Sequence, residues 1–184
     1  MKITLLGDSI RLGYGTKVPQ LLGEAYEVYQ PEDNCRFAKY TLRMLFDLAG
    51  EMQGSEIVHW NNGMWDICGL YEDGKPFSSE EEYVENMLRI ADILLSRYKT
   101  VIFATTTPVR DGNPYNRNSV IQQFNNALIP KLKEKGIIIN DLYALVSADV
   151  EKYVREDDKL HLTDTGIEVC ARQVANVILE ASKR

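Results

Sequence analysis

The sequence predicts an α/β fold, a flavodoxin-like three-layer α/β/α sandwich around a five-stranded parallel sheet. Short apolar runs alternate with longer stretches of helical periodicity along the whole 184-residue chain, and parallel strands need crossovers of the kind helices supply. The strand candidates are brief and apolar, as strands covered on both faces should be. The composition, 45% hydrophobic and 26% charged, is that of a globular body, and the length suits one domain of roughly 100–200 residues. Residues 1–184 are therefore expected to form a single domain.

Lys2–Leu6 reads as a buried first strand stopped by Gly7-Asp8. A loop through Gly13 and Gly15 follows, then a short helical stretch around Pro19–Ala25 and a second strand at Tyr26–Tyr29, closed by Gln30-Pro31. Phe37–Leu48 should be a helix with Leu42, Leu45, Phe46 and Ala49 inward and Gly50 at its end. Ile57–Asn61 is the third strand, leading into a long loop that reaches Pro76. Ser79 and Glu82 form a capping-box pattern ahead of a helix carrying Val84, Met87, Leu88, Ala91, Leu94 and Leu95 at helical spacing. Val101–Ala104 is a strand that enters a Thr- and Pro-bearing loop, Ser119–Lys135 is a helix ended by Gly136, and Ile137–Asn140 is the fifth strand. Thr163–Ala181 makes the last helix, with Val169, Val174, Val177, Ile178 and Ala181 as core contacts.

Net charge and cysteine content exclude several classes. At −6 the chain has no basic field for a phosphate backbone, so nucleic acid is not an expected partner. Cys35, Cys68 and Cys170 are too scattered for a disulfide framework or a zinc motif and read as reduced core thiols. No run approaches the roughly 18 apolar residues that span a bilayer, and no leader or tail signal is recognised at Met1 or in the tail 180–184. The expectation is a cytoplasmic protein without a membrane partner. The pattern specifies no oligomeric state.

In open parallel sheets, ligands bind outside the carboxyl ends of the strands. Ser9 sits there, directly after the first strand in Gly7-Asp8-Ser9-Ile10. A serine hydroxyl becomes a nucleophile only when a base takes its proton. The chain has two histidines. His59 lies inside a predicted strand and reads as a hydrogen-bonded structural residue. His161 lies in Asp158-Lys159-Leu160-His161 ahead of the last helix, where a carboxylate three residues back can fold onto the imidazole and hold one tautomer. The first loop lacks both Gly-x-x-x-x-Gly-Lys and Gly-x-Gly-x-x-Gly, which weakens a nucleotide-binding alternative.

Gly-Asp-Ser after an N-terminal strand, the five-strand order, and Asp-x-x-His before a C-terminal helix together resemble the SGNH (GDSL-type) hydrolase family over nearly the whole chain. The resemblance implies a serine esterase with Ser9 as nucleophile, His161 as base and Asp158 as its orienter, acting without metal or organic cofactor. It also implies an oxyanion hole from the Ser9 N–H, a backbone N–H after the second strand and an asparagine amide after the third. The family's glycine after the second strand is missing from Pro31-Glu32-Asp33-Asn34-Cys35-Arg36, and Asn34 is the nearest positional match. The family's Gly-x-Asn-Asp is replaced by Asn61-Asn62-Gly63-Met64-Trp65-Asp66, in which Asn61 matches best, Asn62 is the second choice and strict alignment puts Trp65 at the asparagine position.

Loops carrying Met64, Trp65, Ile67, Leu70 and Tyr71, and Pro108, Val109, Arg110 and Tyr115, should overhang the site. The expected substrate is a small or polar ester, an O-acetyl group on a carbohydrate being the family's suggestion. The alternatives are a thioesterase or lysophospholipase of the same family, an inactive relative, or a binding module on the same fold.

Overall fold

A computed structural model describes residues 1–183; residue 184, the last of the tail, lies outside the described residues. The strands are β1 (Lys2–Leu6), β2 (Glu27–Tyr29), β3 (Ser55–Trp60), β4 (Thr100–Ala104) and β5 (Ile138–Asn140). They form one all-parallel sheet in the order β2-β1-β3-β4-β5. That order reverses direction at β1, and the crevice at such a switch point is where ligands bind in these sheets. Alternation along the strands divides the core. Ile3, Leu5, Ile57, Ile102 and Ala104 face one apolar cluster, whereas Leu6, Val58, Trp60, Val101 and Phe103 face the other.

The helices are α1 (Ser9–Gly15), α2 (Val18–Leu22), α3 (Ala38–Asp47), α4 (Met64–Ile67), α5 (Glu80–Arg97), α6 (Asn118–Glu134), α7 (Leu142–Ser147), α8 (Val150–Tyr153) and α9 (Asp164–Ala181). Helices α1, α2, α7 and α9 cover the first cluster, and α3, α5 and α6 the second. Ser79 caps α5 by accepting from Glu82 N, as its spacing predicts, and Gly136 takes φ +80° after α6. All three cysteines are free and buried. No described helix is long and apolar enough to cross a membrane.

Several expectations are corrected. The segment through Gly13 and Gly15 is helical because Asp8 caps it, accepting from Ile10 N. In α3 the inward residues are Ala38, Thr41, Met44 and Leu45. Phe46 is exposed and lies under the guanidinium of Arg43, and Ala49 is also exposed. The two sets are offset by one residue, about 100° of helix phase, and the packing of α3 on α5 selects the observed one. Helices α4, α7 and α8 are too short to show a periodicity.

Candidate active site

The motifs from the two ends of the chain meet at the carboxyl edge of the sheet. Ser9 is the first residue of α1, held there by the turn at Gly7 and the Asp8 cap. Gly7 allows a close approach that no other residue would, since a Cβ there would lie 2.2 Å from Asn61 Oδ1. Ser9 Oγ lies 2.9 Å from His161 Nε2, and His161 Nδ1 lies 2.9 Å from Asp158 Oδ2. The carboxylate favours a proton on Nδ1, which leaves Nε2 free to accept from the serine hydroxyl.

Asp158 is itself positioned by its own loop, its Oδ1 accepting from Leu160 N and His161 N, both at 2.9 Å. Partial burial pushes its carboxyl up, but those two N–H groups and the imidazole outweigh it and hold the carboxyl below its usual value. Lys159 adopts φ +59°, a left-handed turn that brings His161 back toward Ser9. The bridge Val154–Leu162 and the bonds Arg155 N to His161 O and Thr163 N to Tyr153 O pin the loop to the chain before it.

Of the expected oxyanion donors, the Ser9 N–H lies in the first turn of α1, where no intrahelical acceptor exists. Asn34 borders the same cleft as Ser9 and His161. The backbone donor expected there is not available. Asn34 N donates to Asp33 Oδ1, Cys35 N to Gly7 O and Arg36 N to Asn34 Oδ1. The Asn34 amide nitrogen has no partner among the described residues.

Asn61 and Asn62, the asparagines expected after β3, are both hydrogen-bonded to neighbouring protein groups. Asn61 is buried, donating to Asp8 Oδ1 at 2.8 Å and accepting from Tyr14 OH at 2.9 Å. Asn62 spends both amide protons on Arg36 O and Thr41 Oγ1. These amides satisfy buried polar groups behind the site, and neither borders the cleft. His59 is also internal, its Nε2 3.1 Å from Asn140 Nδ2, with burial lowering its pKa to about 3.

Three polar residues that the sequence did not single out hold the site together. Arg11, 1% exposed, donates to Pro31 O, Asp33 O and Gly7 O, clamping the Asn34 loop onto the Ser9 turn. Asp66 is buried and accepts from Ala38 N and Ser78 Oγ, capping α3 from another part of the chain. Burial raises it to about 7. Asn113 donates to Asp158 O and Lys159 O while its Oδ1 accepts from Tyr115 N and Asn116 N. Asp66 had a signal in its place within the Asn61–Asp66 block; Arg11 and Asn113 had none, because their partners are distant carbonyls.

The Ser9–His161 pair opens on a cleft of about 350 Å³ walled by Met64, Trp65, Leu70 and Tyr115. A smaller cavity of about 200 Å³ lies on its other side, lined by Ile10, Gly13, Arg155 and Ile167. A concavity of about 450 Å³ elsewhere, near Lys75 and Phe124, contains none of these groups. Among the described residues no group of three or more His, Cys, Asp or Glu side chains is placed to hold a metal ion.

No protein-family model matches the chain. A GDSL esterase/lipase of Oryza sativa subsp. japonica is 24% identical over 162 residues, 80% of this chain, and the chain spans 62% of the length of that relative. Among solved structures, the lipase/acylhydrolase from Enterococcus faecalis superposes with TM-score 0.78 at 19% identity, covering 96% of this chain and 94% of its own. An acetylxylan esterase from Geobacillus stearothermophilus does so with TM-score 0.77 at 17% identity, covering 95% and 92%. The fold is that of the GDSL-type, or SGNH, hydrolases. Within that fold, this chain is one whose asparagine block after β3 is turned inward.

Proposed function

We propose that residues 1–184 act as one domain that hydrolyses carboxylic esters through Ser9, His161 and Asp158. The observation that carries this reading is the unbroken relay of 2.9 Å separations from Ser9 Oγ through the imidazole to Asp158, opening on a cleft at the sheet's switch point. The named activities of the rice relative and the structural neighbours support ester hydrolysis in general.

In this mechanism His161 Nε2 takes the Ser9 proton as Oγ attacks the ester carbonyl. Asp158 holds the imidazolium that results. The oxyanion is met by the Ser9 N–H and the unengaged Asn34 amide, in place of the inward-facing Asn61 and Asn62. The imidazolium returns its proton to the departing alkoxide, and water repeats the sequence on the acyl-enzyme. The O-acetyl carbohydrate expected from the resemblance would find Asn34 and Asn116 as the amide partners along a wall otherwise apolar.

Labelling with a fluorophosphonate, followed by peptide mapping, tests the reading. Modification of Ser9 that is lost in His161→Ala is the expected result. An unlabelled Ser9 in folded protein sinks the hydrolase assignment and favours a binding module.

A further inference from the structure

The Ser9–His161–Asp158 relay depends on a loop with few ties of its own. Residues 155–161 form no helix or strand, and Lys159 turns the chain at φ +59°, a conformation that L side chains rarely adopt. On its inner side the loop is tied by Arg155 N, which donates to His161 O at 2.8 Å. On its outer side it is held by the segment 105–117, which joins β4 to α6. Arg110 N donates to Lys159 O at 3.0 Å, and the Asn113 amide donates to Asp158 O and Lys159 O, both at 3.3 Å. Among the described residues no other group donates to the Asp158 carbonyl.

That segment is itself fixed to the body of the domain. Asn125 Oδ1 accepts from Thr106 N while its amide donates to Thr106 O, and Asn118 makes the same pair of bonds with Val109. Both asparagines stand on α6, so the stem of the segment moves with that helix. Asn113 lies nearer the tip, and its orientation is determined. Its Oδ1 accepts from Tyr115 N at 3.0 Å and Asn116 N at 2.8 Å, and a flipped amide would set its NH2 group against two N–H groups. The same side chain therefore folds Tyr115 and Asn116 into the wall of the cleft and points its donors at the catalytic loop.

A carboxylate aimed by its own backbone is only as well placed as that backbone, and a displacement of about 1 Å in a catalytic group costs about 10²-fold in rate. We propose that Asn113 is a positioning residue for the relay: its amide fixes the Asp158 and Lys159 carbonyls, and through them the direction from which the Asp158 carboxylate meets His161 Nδ1. Because its oxygen also shapes the Tyr115–Asn116 turn, the cleft wall and the relay are held as one unit. This rests on the Ser9 hydrolase reading. Asn113 does not line the cleft, so its effect runs through Asp158 and disappears when the Asp158 carboxylate is gone.

The test is a double-mutant cycle on p-nitrophenyl butyrate hydrolysis with Asn113→Ala, Asn113→Asp, Asp158→Ala and the corresponding double variants. Asn113→Asp keeps an oxygen to accept from Tyr115 N and Asn116 N and loses the donor to the catalytic loop, so the wall persists while the brace is removed. In both single variants kcat should fall about 10- to 100-fold, with KM within about threefold of wild type. In the Asp158→Ala background the same substitutions should change kcat by less than about threefold. The His161 Nδ1–H proton resonance should be resolved in wild type and broadened in both Asn113 variants. Unchanged kcat in Asn113→Ala and Asn113→Asp overturns the brace and leaves the hydrolase reading standing. A loss equally large with and without the Asp158 carboxylate does the same, because a general structural defect does not need Asp158. Turnover unaffected by Ser9→Ala, or no turnover together with an unlabelled Ser9, overturns both.

Discussion

Two halves of one sheet edge, built from similar residue types, end in opposite states. On the Ser9 side, the polar atoms of Ser9 and His161 face a cavity, and each partner is used once to aim the next. On the β3 side, Asn61 and Asn62 stand at the same level of the sheet but are consumed internally by Asp8, Tyr14, Arg36 and Thr41. The difference teaches that a polar side chain after a strand is available for chemistry only when no buried donor or acceptor nearby needs it. An unsatisfied buried group costs about 1–3 kcal/mol, enough to turn an amide inward.

The largest break in this comparison is at the relay. Ser9→Ala or His161→Ala should each lower ester turnover by about 10⁴–10⁶, with the melting temperature little changed, as read by p-nitrophenyl butyrate hydrolysis and circular dichroism. Asn34→Ala should lower kcat by about 10²-fold with KM nearly constant, the signature of a donor used in the transition state. An unchanged kcat returns the oxyanion to other groups.

Asp66 gives a pH-dependent prediction. Its carboxyl is raised from 3.8 to about 7 by burial, so between those values the folded protein keeps a proton that the unfolded chain releases. Its contribution is full below pH 4 and is lost as pH rises through 7. Thermal melts from pH 4 to 8 should show Asp66→Asn flattening that decline, a difference on the order of 2–4 kcal/mol. Parallel curves for the two proteins would contradict the assignment.

Asn62→Ala should cost about 1–3 kcal/mol in denaturant unfolding because Arg36 O and Thr41 Oγ1 lose their donor. Turnover should change less than about tenfold, against the 10²–10³ loss expected of an oxyanion donor. Lys159→Gly is the smallest effect. Relief of its left-handed φ should shift stability by no more than about 1 kcal/mol, with activity retained.

The fold was largely legible because buried parallel strands and amphipathic helices advertise themselves through local pattern. The strands meet their expected positions within a residue or two, and Ser79, Gly136 and Thr163 mark helix ends through contacts with neighbours in sequence. Where a reading failed, the deciding contact was distant. Phe46 and Met44 are equally apolar, and only the placement of α3 puts one outside and the other in. Gly13 and Gly15 looked like loop residues until the Asp8 cap and the packing of α1 on α9 outweighed their poor helix propensity.

What the sequence by itself determined is the succession of strands and helices along the chain and the two short motifs, Gly7-Asp8-Ser9 and Asp158-Lys159-Leu160-His161, whose internal geometry is set by bonds between residues within three of one another. What only the tertiary structure decided is the join between them across 152 residues, the inward turn of Asn61 and Asn62, and the roles of Arg11, Asp66 and Asn113. Those depend on which buried carbonyls and amides come to lie within hydrogen-bond reach, and that is a property of the packed chain rather than of any local run.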